Sequence, residues 1–330
     1  MIKVCYTMIR ILILQEVKMN KNILELFTLD IDNRTVYVGT DISTRELCFY
    51  VSENNKMVPI SEELYNKVSN EIFGENKDND SFKELLESLV RTYSEDNTNK
   101  SYDNTNLIKN WKHIRILYSQ SSFDNSSASY EAINNILNFE LPKELLSSSG
   151  FLSFRAKAYL NTVLIHEIGH MSVSELQIKN NSLVAQTGFY EKRFLLKESI
   201  LTTDGNNYFR VEENKELQIN DGEGLEELFN ELETDERANS ATAPKFAHDL
   251  DDLTDGKLRI ARQSHSLDSY YRMMQEMIQS EDMAKFLLIA INKYYECLHS
   301  QDFELTKQID SAINQALLEY QISKAKLTKR

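Results

Sequence analysis

The chain has 330 residues, 41% of them hydrophobic and 27% charged, the composition of a folded globular protein with room for two domains, or one domain and an appendage. Asp and Glu number 51 against 37 Lys and Arg, a formal net charge of -14, and that field repels phosphate backbones and anionic lipid headgroups. Nucleic acid and membranes are therefore not expected as partners. Three dispersed cysteines (Cys5, Cys48 and Cys297) form no CxxC pair, which disfavours a disulfide framework or a cysteine metal site and fits a cytoplasmic setting.

Residues 1–18 are expected to be an extension with little structural role. Arg10 interrupts their apolar run, no small-residue cleavage site follows, and Met19 would serve equally well as a start. Residues 19–129 are expected to form a mixed N-terminal region. Residues 35–39, 47–51 and 113–118 are rich in β-branched and aromatic side chains and predict short strands. The Asn-rich stretches 69–81 and 94–106 and the Ser-rich stretch 119–129 predict loops.

The character changes at about residue 130, where a second domain, 130–330, is expected to begin. Apolar residues at 154, 158, 164, 165, 168 and 171 predict a helix, with Ser153 as its N-cap. Residues 183–189 and 208–219 read as extended arms around the turn Asp204-Gly205-Asn206. A second helix is predicted over 225–238, and from residue 267 the pattern is helical almost to the end. Asp249, Asp251, Asp252 and Asp255 miss the EF-hand spacing and read as a solvated loop. The fold class expected from these elements is α+β, mainly helical in its second half and short-stranded in its first.

One motif carries chemistry. In His166-Glu167-Ile168-Gly169-His170 the two histidines are four apart, so on a helix both imidazoles project from one face and can share a metal ion. Glu167 lies beside the remaining coordination position, where its carboxylate can take a proton from an activated water. A catalytic zinc needs a third protein ligand. Position 176 is Leu and position 173 is Val, so the ligand is not a third histidine following directly on the motif. A glutamate on the second helix is the alternative: Glu227 and Glu231, in Leu225-Glu226-Glu227-Leu228-Phe229-Asn230-Glu231, are four apart and share a face. Glu226, Glu233 and Glu236 are the other candidates, and a solvated acidic face is the plain reading of all of them.

Over residues 150–235 the chain resembles the gluzincin class of zinc metallopeptidases. In that class HExxH on one helix is followed by Asn-Glu-x-x-x-Asp/Glu on the next. The resemblance implies a zincin-like domain and a single zinc held by His166, His170 and Glu227. It also implies Glu167 as general base, and Glu231 as the acid that hydrogen-bonds a ligand histidine. Glu226 stands where the class has Asn, and the interval from His170 to Glu227 is longer than in compact members. The class supplies its oxyanion donor from a Tyr or His downstream of the third ligand, for which Tyr270, Tyr271, His248 and His265 are available. A protein or peptide would be the substrate.

Residues 233–239 also resemble, over a shorter stretch, the HExxH peptidases of mobile elements that cleave repressors; there Glu233 or Glu236 would be the ligand. The alternative from another functional class is a zinc-stabilised binding protein without catalysis. GxSxG, P-loop and GxGxxG motifs are absent from the sequence.

Overall fold

The computed structural model describes residues 20–73, 80–121, 128–142, 154–218, 222–263 and 267–327. The expected extension 1–18 and Ser153 lie outside them. The chain mixes helix and sheet, close to half of it helical, and divides into two compact units. No helix among the described residues is long and apolar enough to cross a membrane.

The first unit comprises the described residues up to Val68 together with Leu196–Val211. Its strands β1 (Asn22–Ile31), β2 (Arg34–Asp41), β3 (Leu47–Glu53) and β4 (Lys56–Pro59) form an antiparallel meander. Two of its hairpins turn on residue pairs with positive φ, Asp32-Asn33 and Asn54-Asn55. Asp and Asn tolerate this left-handed conformation, and the two-residue turn that uses it matches the twist of the flanking strands. Helix α1 (Glu62–Phe73) follows. Ile23, Tyr50, Met57 and Tyr208 form this unit's core.

The second unit comprises the described residues of Ser69–Leu195 and Glu212–Arg330. The end of helix α2 (Asp80–Asn99) and the start of helix α3 (Thr105–Lys112) fall within the stretch 94–106 that the sequence predicts as loop. The Asn and Ser content is misleading there. Leu86, Val90, Tyr93 and Asn97 recur at helical spacing and are all buried, so packing on one face outweighs poor intrinsic propensity. Strands β5 (Arg115–Ser121), β6 (Ala128–Glu131) and β7 (Ile136–Pro142) make a three-stranded sheet in the order β5-β7-β6, with β6 at an edge.

Helix α4 (Phe154–Ser172) carries the HExxH motif. Leu160 and Leu164 pack with Leu86, Leu137 and Phe139, while Ile165, Ile168 and Met171 pack with Val90, Tyr93 and Leu107. Strands β8 (Ser174–Lys179) and β9 (Ser182–Thr187) form a hairpin on Asn180-Asn181, again at positive φ, and β10 (Tyr190–Leu201) pairs with β9. The Asp204-Gly205-Asn206 turn joins β10 to β11 (Asn207–Gln218), and in the first unit β11 runs parallel to β1.

Helix α5 (Glu223–Ala238) is followed by α6 (Lys245–Leu253), α7 (Lys257–Gln263), α8 (Leu267–Ile278), α9 (Glu281–His299) and α10 (Phe303–Leu327). Asp249, Asp251 and Asp252 lie on α6 rather than in a loop. Asp249 pairs with Lys245 and Asp251 with Arg259. The apolar faces of α5, α6 and the helices after them share one core built on Leu228, Phe229, Phe246, Leu287 and Ile291.

Candidate metal centre

Helices α4 and α5 approach so closely that a Cβ added at Gly169 would collide with the Asn230 side chain. Asn230 is fully buried, and its amide donates to the His166 carbonyl at 2.8 Å. The C-terminal end of α4 is held from several sides. Asn110 on α3 donates to the carbonyls of Met171 and Ser174 at 2.9 and 2.8 Å, and Ser172 and Ser174 donate to those of Gly169 and His170. Carbonyls at a helix end have no partner inside the helix, so these side chains complete them and fix the turn that bears the histidines.

The facing helices bring His166, His170 and Glu227 together. The two Nε2 atoms are 3.1 Å apart. Glu227 Oε2 lies 3.3 Å from His166 Nε2, and Glu227 Oε1 lies 3.4 Å from His170 Nε2. Burial alone would push His170 down, but the Glu227 and Glu226 carboxylates overcome it and hold the ring up at about 10. Glu227 is likewise pushed up by burial, yet the two imidazoles hold it well below the usual carboxylate range. The imidazoles and the carboxylate thus favour one another's charged forms, and the three residues together could hold a metal ion.

Two imidazole nitrogens and a carboxylate are a donor set that suits zinc. Tetrahedral bonds of about 2.0–2.2 Å place neighbouring ligand atoms about 3.3 Å apart; the Nε2 pair meets that spacing, and each histidine meets it with a different oxygen of Glu227.

The partner of the ligand histidine differs from the one expected. Glu231 does not meet a histidine; its carboxylate accepts a hydrogen bond from Tyr295 on α9 at 2.6 Å. Burial pushes Glu231 up to about 8. Glu226 takes the expected place, its Oε1 lying 3.1 Å from His170 Nδ1. One residue along a helix turns the side chain by about 100°, so Glu226 comes at the ring from the far side while Glu227 faces its Nε2. Glu226 is in turn paired with the buried Arg262 of α7. The other two candidates go elsewhere: Glu233 to Tyr93 and Arg262, Glu236 to Lys100 and Arg259.

Glu167 is almost fully buried, and its Oε2 accepts the Tyr130 backbone N–H of edge strand β6 at 2.7 Å. A cleft of about 300 Å³ borders the donor cluster, lined among others by Tyr130, Ile133, His170, Tyr190, Phe194 and Glu227. The tyrosines in it, Tyr130 and Tyr190, precede α5 in the chain, whereas the expected oxyanion donors follow it. Tyr271 packs against the helical core, where its buried hydroxyl has no hydrogen-bond partner among the described residues. Its amphipathic helix turns it inward to that core rather than to the cleft. The Tyr270 side chain and His265 lie outside the described residues. His248 is half exposed beside Asp235.

Spacing in the sequence reaches His166, Glu167, His170 and Glu227, but not the Tyr130 amide, the Glu226 partnership, Arg262 or Asn230. The polar stripe Glu226, Asn230, Glu233 and Arg237 on α5 was the available signal, since it recurs at helical spacing. Comparison with family models, with curated proteins and with solved structures gives no match.

Proposed function

We propose that the chain is a zinc-dependent peptidase with a zincin-like catalytic domain, its metal held by His166, His170 and Glu227. The carrying observation is the convergence of two imidazole Nε2 atoms 3.1 Å apart on the Glu227 carboxylate, one oxygen 3.3 Å from His166 and the other 3.4 Å from His170, with one donor atom from each residue inside 4.8 Å. A bound zinc supplies Lewis acidity, activating water and polarising a carbonyl.

The chain's own residues do the rest. Glu167 takes the proton of the attacking water and returns it to the leaving amine, as a general base that becomes a general acid. The Tyr130 amide restrains its carboxylate while leaving the second oxygen for that work. Glu226 accepts from His170 Nδ1, so that Nε2 presents its lone pair to the metal. The cleft gives an extended peptide access, with Tyr130, Ile133, Tyr190 and Phe194 offering apolar contact to its side chains.

The cleft and Glu167 favour catalysis over a purely structural zinc, because a structural site fills its fourth position and has no use for a base. Glu233 and Glu236 are engaged away from the histidines, so the geometry favours the gluzincin arrangement over the repressor-cleaving one.

The test joins elemental analysis of protein purified without chelators to a fluorogenic peptide-library assay. One equivalent of zinc is expected, with cleavage that a chelator abolishes and zinc restores. Protein carrying no transition metal, or cleavage indifferent to chelation, would refute the proposal.

A further inference from the structure

We propose that Arg262, on a third helix outside both ligand-bearing ones, is the positioning residue of the metal centre, fixing His170 through Glu226 and the His166 backbone through Asn230. The inference rests on the zinc reading above.

Arg262 is fully buried. Its Nε donates to both Glu226 oxygens at 3.0 and 2.9 Å, and its Nη2 reaches Oε1 at 2.6 Å. Nη2 also donates to Asn230 Oδ1 at 2.9 Å, and Nη1 to Glu233 Oε2 at 3.0 Å. The partners lead directly to the centre. Glu226 Oε1 meets His170 Nδ1 at 3.1 Å, and the Asn230 amide meets the His166 carbonyl at 2.8 Å. One rigid guanidinium thus orients the ring of one ligand and anchors the backbone of the other.

The Glu226 carboxylate has little freedom to swing away. It is pressed against Gly188, where the positive φ of 53° and the lack of a Cβ admit it; a Cβ there would collide with Oε2. The far side of the guanidinium is fixed as well, because Tyr93 donates to the same Glu233 oxygen at 3.0 Å. A lysine would not reproduce this. Its ammonium is a point charge on a flexible stem, whereas this site uses a planar fork with donors in several fixed directions.

The experiment must separate positioning from plain structural support, since removing one partner of a buried ion pair destabilises a fold. In metal-free protein, nitrogen NMR of the His170 ring should show an Nδ1 proton protected by its hydrogen bond, and Arg262→Met should lose that protection. Zinc affinity, measured by competition with a chelating dye, should fall about 10–100-fold in Arg262→Met, the usual loss when a ligand's supporting partner is removed. Arg262→Lys should recover little of it. The triple variant E226Q/E233Q/R262M leaves no buried charge orphaned, so its fold should recover while its zinc affinity stays low.

Wild-type affinity in folded Arg262→Met, or affinity restored in the triple variant, would overturn the proposal. A wild-type chain that binds no zinc would instead overturn the zinc reading, and the ring NMR would still decide whether Arg262 holds His170.

Discussion

Helices α4 and α5 contribute to the same centre, but their residues acquire their roles differently. On α4 the pairing is in the spacing: two imidazoles four residues apart share a face whatever surrounds them, while the carboxylate between them accepts the Tyr130 amide. On α5 four glutamates of identical chemistry, Glu226, Glu227, Glu231 and Glu233, are sorted only by what they meet. Those partners are a ring Nδ1 with a guanidinium, two ring Nε2 atoms, a tyrosine hydroxyl, and a second tyrosine with the same guanidinium. Local periodicity sets direction, and tertiary contact sets function.

The sharpest way to break this comparison is on α4. Glu167→Gln keeps the shape and the Tyr130 contact but removes the base. Peptidase activity should fall at least about 100-fold while bound zinc stays near one equivalent. Near wild-type turnover in this variant would remove Glu167 from the mechanism.

On α5 the prediction is a contrast between residues one turn apart. Glu227→Gln should weaken zinc binding by more than about 100-fold, beyond what loss of a supporting partner costs. Glu231→Gln should leave zinc binding unchanged, because its carboxylate is turned to Tyr295. Equal losses in the two variants would mean that the sorting by partner is wrong.

Glu231 supplies a second test, on stability. Burial holds its folded value up at about 8, against an ordinary value near 4.5. The neutral form is therefore the one the fold favours. Its contribution is complete below about 4.5 and is lost as pH rises through about 8, by up to roughly a few kcal/mol. Denaturant unfolding of chelator-treated protein should show stability declining across that window. Glu231→Gln should flatten the decline, since the amide still accepts from Tyr295 and carries no proton to lose. A pH dependence identical in both proteins would place the titration elsewhere.

Legibility follows the same division. Helices α4 and α5 were readable from apolar periodicity, and β2, β3 and β11 from their composition or turns. The last turns of helix α2 were not, because Asn and Ser from residue 94 onward signal a loop locally, while Asn97 is buried only in the folded unit. Strands β1, β4 and β8 were missed at the hairpins Asp32-Asn33, Asn54-Asn55 and Asn180-Asn181, where paired Asp and Asn residues take the left-handed conformation without any glycine. At the centre, His166, Glu167, His170 and Glu227 came from spacing and resemblance. Glu226 takes the place expected of Glu231, which turns to Tyr295 instead, because a helix face is a continuous angle. Neither spacing nor charge says which of two adjacent faces Arg262 will meet.

The smallest effect tests the distance between the two helices. Gly169 lies inside the motif, but neither metal binding nor proton transfer uses its side-chain position. Its lack of a Cβ lets Asn230 lie against α4, with its amide on the His166 carbonyl and its oxygen on Arg262. Asn230 is fully buried and hydrogen-bonded at both ends, so it has no free rotamer into which to retreat. Gly169→Ala must therefore push the helices apart or break one of those bonds. Intrinsic helix propensity acts the other way, favouring Ala over Gly by up to about 1 kcal/mol. Overpacking of a tight interior costs about 1–3 kcal/mol, so a net destabilisation near 1 kcal/mol is expected in denaturant unfolding. Because the same displacement lengthens the path from Glu227 to the histidines, zinc affinity should fall with it. An alanine variant that is more stable than wild type and binds zinc equally well would show that the helices tolerate a wider spacing than Gly169 allows.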